Sequence, residues 1–432
     1  MLRTCAILAL IIILARGAAA QHPSPCDVFC HSRLAEQAAA AGDFKGYAAH
    51  VRAVAAVAPS HPGAVYAMAR AFVRTGSPDS AIASLARLGR MGDTRDPDAD
   101  SVFRSLRTRP GYADARNRLL SNRLPILDGK AAFEIDDPDF LPEGLAYDSA
   151  RGRFLAGSLT HRAVTAFAPN GSASLLVAHT PDMLRVVGIH VDAPRERLWF
   201  ATWAPDSAHR TDSTETPSLT RLFLAELGTG RVVRSWSLGR GGPDHLLNDL
   251  VVLSDGSLFL TDSEDGSIYR LRSPSDSLEL LVRPDPARFS TANGITSTPD
   301  GRTLYVAYLE GVARVDVASR SIDLVPSPDS VSTAAVDGLY WYRGGLVAIQ
   351  HIPTLERVVQ YSLSSDGRRI VAGAVRERGL PVVHEPTTGT IVGSRFYYIA
   401  NSQFGRLDDH GVLAPQSGPP TRTVVRVIDL QP

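Results

Sequence analysis

The stretch LLNDLVVLSDGSLFLTDS, Leu246 to Ser263, contains two strand-like segments that flank a Ser-Asp-Gly turn. Its first strand is preceded by Asn248 and Asp249, although Asn and Asp are poor strand formers. An isolated polar pair would need no more explanation than a turn. This pattern, however, recurs along the chain, and the recurrence indicates both the fold and a site.

Six segments share a small or polar pair, a strand, a turn and a second strand. They begin at Leu141, Arg185, Leu246, Thr291, Ala335 and Pro386. The residues before the glycine of each pair, or before Asp249 in the third copy, are Glu143, Val187, Asn248, Asn293, Asp337 and Thr388. Their separations are 44, 61, 45, 44 and 51 residues. A period near 45 residues with about four strands per unit is typical of propeller blades.

The fold class predicted is an all-β six-bladed β-propeller with an N-terminal α-helical, repeat-like domain. The propeller is expected to occupy residues 126–432, and the polar stretch at 204–220 is interpreted as a loop insertion in the long interval. The strand near Lys130 precedes the first copy, and TRTVVRVIDL ends the chain. We expect these two strands to close the ring, with the early strand completing the sixth blade.

Residues 21–125 form the predicted helical region, which is rich in Ala, Leu and Arg. Its apolar helical stretches are interrupted at Gly42-Asp43-Phe44 and at Gly76. These helical pairs resemble tetratricopeptide-type repeats, although the signature is short and degenerate. A generic helical cap on the propeller is the alternative, and neither interpretation gives this region catalytic chemistry.

Residues 1–20 have the pattern of a secretory signal peptide, with Arg3, a short apolar run and small residues up to Ala20. Cleavage after Ala20 predicts a periplasmic or secreted protein with no membrane association afterwards. The removal of this segment leaves Cys26 and Cys30, whose spacing on a helix is compatible with a disulfide. Two unpaired thiols near the terminus are an equally consistent interpretation.

The composition excludes little else. The 45 basic residues balance 45 acidic ones, so nothing indicates a partner of strong charge such as nucleic acid or a membrane surface.

Four of the six equivalent positions carry side-chain oxygens: Glu143, Asn248, Asn293 and Asp337. The innermost strands of propeller blades run along a central channel, so equivalent positions face one axis. Two carboxylates and two amides form a hard-oxygen set that suits a divalent cation such as Ca²⁺, which takes 6–8 oxygen ligands. Each residue alone is equally typical of a strand cap in a turn, but four in one register favour the metal.

At these residues the chain resembles the senescence-marker-protein, gluconolactonase and luciferin-regenerating-enzyme family, to which the paraoxonases are related. The matching stretches are PEGLAYD, NDLVVLSDGSLFLTD, NGITSTPDGRTLYVAY and DGLYW, and the resemblance covers about residues 130–432. It implies calcium in the channel and hydrolysis of lactones or related esters. It also implies that Asp337 is both ligand and base, and that His351 corresponds to a pocket histidine of paraoxonases. An ordinary loop histidine is the alternative for His351.

The second copy departs from the paraoxonase pattern, because Val187 stands where those enzymes carry a catalytic histidine. Two functions are therefore predicted. The first is a calcium-dependent hydrolase of a small-molecule lactone or ester. The second is a non-catalytic propeller with structural calcium that binds a ligand, or a protein partner through the helical region.

Overall fold

The computed structural model describes residues 26–203, 220–238, 245–407, 413–414 and 421–431. The predicted signal peptide and nearly all of the predicted loop insertion lie outside these residues. Within the described ranges, no helix has both the length and the apolar character that crossing a membrane requires.

Five α-helices precede the propeller: α1 Val28–Ala40, α2 Phe44–Val57, α3 Pro62–Arg74, α4 Pro78–Met91 and α5 Tyr112–Ser121. Short 3-10 turns at Pro97–Ala99 and Ser101–Leu106 join α4 to α5. The breaks between helices fall at the predicted sites, and Asp43 caps α2 by accepting from the Gly46 amide. Of the two alternatives for the cysteines, the structure contains the Cys26–Cys30 disulfide. The tetratricopeptide resemblance stays a prediction.

The first turn of α3 is capped by a histidine that works only when it is neutral. His61 Nδ1 accepts from the Gly63 amide at 3.0 Å, and burial and the charge of Arg95 lower the His61 pKa to about 4. Unfolded chains take up this proton near pH 6.5, so the cap's contribution is present above pH 6.5 and is lost as the pH falls towards 4.

The free energy of unfolding of the wild type should fall between pH 6.5 and pH 4. We expect this fall to be roughly 1–2 kcal/mol smaller in His61→Asn, because Asn caps helices without titrating. Urea denaturation at several pH values measures this difference from the wild type. The exposed His179 provides the control substitution, and His179→Asn should leave the wild-type pH dependence intact. A His61→Asn curve parallel to the wild-type curve contradicts the assignment.

Six antiparallel sheets follow, and each of the first four blades is built from four consecutive strands. Blade 1 contains β3 Pro142–Asp148, β4 Arg153–Ser158, β5 Val164–Phe167 and β6 Ala173–Val177. Blade 2 contains β7 Arg185–Asp192, β8 Arg197–Trp203, β9 Thr220–Glu226 and β10 Val232–Ser237. Blade 3 contains β11 Leu247–Val252, β12 Leu258–Asp262, β13 Ile268–Leu271 and β14 Glu279–Val282. Blade 4 contains β15 Ile295–Ser297, β16 Thr303–Tyr308, β17 Gly311–Asp316 and β18 Ile322–Leu324.

The last two blades recruit strands from the start of the propeller. Blade 5 contains β19 Val336–Tyr342, β20 Gly345–Gln350, β21 Arg357–Leu363 and β22 Ile370–Arg378, with β1 Ile126–Leu127 as a fifth strand. Blade 6 contains β23 Gly389–Val392, β24 Arg395–Ile399 and β25 Thr423–Asp429, and β2 Gly129–Ile135 pairs with β25 as its outer strand. The predicted fold class and ring closure are therefore confirmed.

The core of the propeller lies between the blades. Each pair of neighbouring sheets buries its own apolar cluster, such as the one that joins Phe200 of blade 2 to Leu155 of blade 1. Phe133 of β2 belongs to the cluster between blades 6 and 1. The early strand is therefore held by apolar packing as well as by its hydrogen bonds to β25.

The polar pairs stand where the inner strands depart from regular pairing. The pairing of the first two strands shifts register at this point in blades 1, 2, 3 and 5. Neighbouring inner strands also come very close here: a Cβ on Gly188 would lie 2.1 Å from the Asn248 carbonyl, and one on Gly294 would lie 2.3 Å from the Asp337 carbonyl. The glycines are needed for this close approach, and the bulged backbone frees the preceding side chain from the sheet.

The helical region contacts blade 5 on the side of the ring where the polar pairs lie. Ser60 Oγ is 2.8 Å from Thr333 Oγ1, and Ser332 Oγ donates to the Ser60 carbonyl at 2.9 Å. Arg357 Nη1 donates to the Met91 carbonyl at 2.9 Å. All of these hydrogen bonds are buried, and the Ser332–Thr333 segment leads directly into the inner strand of blade 5.

Candidate metal centre in the central channel

The two amides of the predicted set meet across neighbouring blades. Asn248 Nδ2 donates to Asn293 Oδ1 at 3.2 Å and to Ser263 Oγ at 3.0 Å. Asn248 is buried and Asn293 is half-buried. Because its nitrogen is used in these two bonds, the carbonyl oxygen is the atom that Asn248 offers to the channel.

The two carboxylates of the set are buried and incompletely paired. Glu143 and Asp337 are each 8% exposed, and Glu143 Oε2 and Asp337 Oδ1 have no hydrogen-bond partner within the described part of the chain. Burial raises the pKa of Glu143 well above its ordinary value, and the charges of Asp337, Asp249 and Glu385 raise it further. Asp337 belongs to blade 5 and Asp249 to blade 3, and Glu385 precedes the first strand of blade 6, so charges from several blades act on Glu143.

This arrangement fits a cation. An unpaired buried carboxylate oxygen is costly unless a positive charge is near, and two such oxygens together with amide oxygens form the hard donor set that calcium prefers. The structure thus brings Asn248 into contact with Asn293 and places Glu143 within the influence of the Asp337 charge, while metal binding by the four residues stays a prediction.

Two further carboxylates near the channel were not predicted as part of the site. Asp249 occupies the place of the usual glycine and accepts from the amides of Leu250 at 2.8 Å and Ile295 at 3.3 Å. Burial raises its pKa to about 7, with Asp337 adding to the rise. The Asn-Asp pair was a visible signal for Asp249. Glu385 accepts a hydrogen bond from the Gly405 amide. It is not one of the six aligned polar positions, so the sequence repeat did not point to it.

His351 directly follows β20 and contacts the site. Its Nδ1 lies 3.3 Å from Asp337 Oδ2. Burial alone would lower the His351 pKa, but the hydrogen bond and charge of Asp337, with the charges of Glu385 and Glu356, raise it overall. The His351 amide donates to the Ala335 carbonyl as the Ser263 amide does to Leu246, so His351 and Ser263 hold equivalent places in their blades.

The remaining two positions of the register carry no carboxylate or amide side chain. Val187 is 5% exposed and packs in an apolar cluster with Trp199 and Leu247. The Gly338 amide of blade 5 donates to the Thr387 carbonyl at the start of blade 6, just as the Gly294 amide at the start of blade 4 donates to the Asp337 carbonyl of blade 5. The hydrogen bonds therefore place Thr387, and not the aligned Thr388, in the register of the set.

A second group of metal-ligand residue types lies in blade 3. Potential ligand atoms of His245, Asp262 and Asp265 lie within 4.8 Å of one another. Both oxygens of Asp262 are already used, by His245 Nδ1 and by the amides of Leu246 and Glu264. Asp265 pairs with Arg283 at 3.4 Å. Because these carboxylates have partners, the channel is the stronger candidate for a cation.

A cavity of about 640 Å³ opens beside blade 6 and includes Glu385 in its wall. Its polar lining also includes His384, Gln403, Arg406 and Arg422. A volume of this size is typical of small-molecule pockets, and the charge of Glu385 acts on Glu143 in the channel. Glu385 is therefore the residue that relates this cavity to the channel, since none of Glu143, Asn248, Asn293 and Asp337 lines the cavity.

No protein-family model matches the chain, and no curated protein matches it. Among solved structures, it is similar to a putative gluconolactonase, with 18% identity over 70% of this chain and 92% of that one and a TM-score of 0.46. It is similar to the calcium-binding protein regucalcin from Agrobacterium tumefaciens, with 18% identity over 69% and 94% and a TM-score of 0.44. It is also similar to the PQQ-bound aldose sugar dehydrogenase from Streptomyces coelicolor, with 13% identity over 71% and 99% and a TM-score of 0.46.

Proposed function

We propose that the chain is a calcium-binding propeller whose channel hydrolyses a small-molecule lactone or ester. The observation that supports the proposal is the pair of buried carboxylates, Glu143 and Asp337, each with one oxygen that has no partner among the described residues. The repeat register of this pair also contains the hydrogen-bonded amides of Asn248 and Asn293. The cavity beside Glu385 has room for a small substrate.

The residues of the channel divide the chemistry between them. Bound calcium supplies electrostatic polarisation of a substrate carbonyl. Glu143, Asn248, Asn293 and Asp337 would hold the cation, and Asp337 and His351 would be the proton acceptors beside it. A carboxylate that binds calcium is a weak base, and the hydrogen bond between Asp337 and His351 offers a second acceptor that Asp337 orients.

A non-catalytic binding propeller is the second candidate function. The observation that favours it is Val187, an apolar residue packed in the core where the related paraoxonases carry a catalytic histidine. The helical region, which contacts blade 5 next to the channel residues, would then present a protein-binding surface.

Export to the periplasm or the exterior belongs to the same proposal. The Cys26–Cys30 disulfide supports it, because structural disulfides persist in oxidising compartments. Lys/Arg and Asp/Glu counts of 45 each support the absence of nucleic-acid and membrane partners.

A screen of lactones and esters with and without chelator tests the proposed function. We expect the mature protein to hydrolyse at least one compound of these classes, to lose that activity in EDTA and to regain it with added calcium. The chelator control is EDTA that has been saturated with calcium beforehand. Activity that is indifferent to EDTA contradicts the role of the metal, and the absence of activity on every compound favours the binding propeller.

A further inference from the structure

A crevice with an unusual charge lies between the helical region and the outer strands of blade 5. It has a volume of about 200 Å³ and is lined by 13 residues, which include four arginines and no acidic residue. The arginines are Arg90 of α4, Arg118 of α5, Arg357 of β21 and Arg378 of β22. Two separate parts of the chain thus contribute positive charge to one space.

The most buried of the four is held by neutral partners. Arg357 is 4% exposed, and it donates from Nε to Gln350 Oε1 at 2.7 Å and from Nη1 to the Met91 carbonyl at 2.9 Å. Burial and the charge of Arg378 lower its pKa to about 10, against the opposing effects of Tyr361 and Asp93. The positive charge of this guanidinium is therefore not balanced by a negatively charged hydrogen-bond partner.

Arg378 also donates hydrogen bonds only to neutral groups among the described residues. It donates to the Leu124 carbonyl and to Asn122 Oδ1, both at 3.3 Å. Burial lowers the Arg378 pKa, and the charge of Arg118 lowers it further. The positive charges therefore act on one another across the crevice.

Acidic side chains do not balance this charge. Within the described residues, none of the four arginines forms an ion pair, whereas Arg426 of the neighbouring blade lies 2.7 Å from Glu377. The one carboxylate that acts on Arg357, Asp93, is itself paired with Arg95 at 3.2 Å.

The helix ends account for only part of the balance. Helices α4 and α5 end at this crevice, at Met91 and Ser121, and each C-terminus carries about half a negative charge. Together they offset about one of the four positive charges. Arg90 and Arg118 are thus more than C-terminal caps.

We propose that this crevice binds a compact oxyanion of the phosphate or sulfate type. Guanidinium groups match the oxygens of such anions in a bidentate manner. At about 30 Å³ per water molecule, the space holds roughly seven waters, which suits a tetrahedral anion rather than a nucleotide. The bound anion also joins the helical region to blade 5, because its ligands come from both.

The crevice is connected to the channel residues by a chain of hydrogen bonds through Arg357 and Gln350. Gln350, which Arg357 holds, donates to the Ala334 carbonyl at 2.7 Å and directly precedes His351 in the chain. Ala334 lies three residues before Asp337. A bound anion that compensates the charge of Arg357 is therefore expected to make the segments before Asp337 and before His351 more rigid.

Titration calorimetry of the full mature protein with inorganic phosphate at constant ionic strength tests the site. We expect saturable binding and a melting temperature that rises with phosphate but not with equivalent chloride. Arg118→Gln is expected to weaken phosphate binding about tenfold or more, since it removes charge-assisted hydrogen bonds, and Arg90→Gln/Arg118→Gln should abolish it. Both side chains are exposed on helices, so these variants retain the fold.

Arg104→Gln is the matched control, because Arg104 is an exposed arginine of the helical region that does not line the crevice. It should bind phosphate like the wild type. A parallel titration with phenyl phosphate distinguishes a free anion from an esterified one. The proposal is overturned by a wild-type titration without saturable heat, by unchanged affinity in Arg118→Gln, or by an equal loss in Arg104→Gln.

Discussion

Asp337→Asn is expected to lower turnover of a lactone or ester substrate by about 10²-fold or more at saturating calcium, the usual scale of general acid–base catalysis. The substitution keeps the shape and one oxygen ligand. It removes the charge that Asp337 contributes to the channel and the carboxylate that contacts His351 Nδ1 at 3.3 Å. Steady-state kinetics over a range of calcium concentrations measure the loss separately from weakened metal binding.

Two variants make this result interpretable. Asp323→Asn changes an exposed aspartate of β18 in the same way and should retain full turnover. His351→Gln removes the second proton acceptor but leaves the four predicted ligands, so calcium affinity should be nearly retained while the pH–rate profile changes. Full activity of Asp337→Asn at saturating calcium removes both its base role and its orienting role.

Glu143→Gln is expected to stabilise the metal-free protein by about 1–3 kcal/mol at neutral pH, the scale of relieving an uncompensated buried polar group. The same variant should lose the stabilisation that calcium gives the wild type, which is about 2.7 kcal/mol at 100 times Kd. The reason is that Glu143 is buried beside Asp337, with one oxygen unpaired. A charge there is costly without the cation and necessary with it.

The stabilisation of the metal-free protein by Glu143→Gln should depend on pH. The folded-state pKa of Glu143 is raised above its ordinary value of 4.5. In the metal-free protein, Glu143 therefore does not lower the free energy of unfolding below pH 4.5, and it lowers this free energy increasingly as the pH rises from 4.5 towards the folded-state pKa. Denaturation in EDTA at pH 4 and pH 7 should therefore separate wild type from Glu143→Gln only at the higher pH. Glu36→Gln, at an exposed site on α1, is the control. Destabilisation of metal-free Glu143→Gln contradicts the proposed charge burial.

Spacing alone predicted the blade count and the closure of the ring. Each blade is a local antiparallel meander, so a repeat of turn and strand signals specifies its geometry without distant contacts. The closing strand was also readable, because a strand-like segment near Lys130 precedes the first copy, and the structure pairs this segment, β2, with β25. The aligned register failed by one residue only in blade 6, where Thr387 takes the equivalent place.

The six like segments around one axis, and the common register of Glu143, Asn248, Asn293 and Asp337, could be predicted from the sequence because both follow from a local period. The other charges that act at this register became visible only in the folded protein. Glu385 affects Glu143 from 242 positions along the chain, and Arg357 meets Met91 across 266 positions. Such contacts depend on how blades and helices pack against each other, which no local repeat encodes.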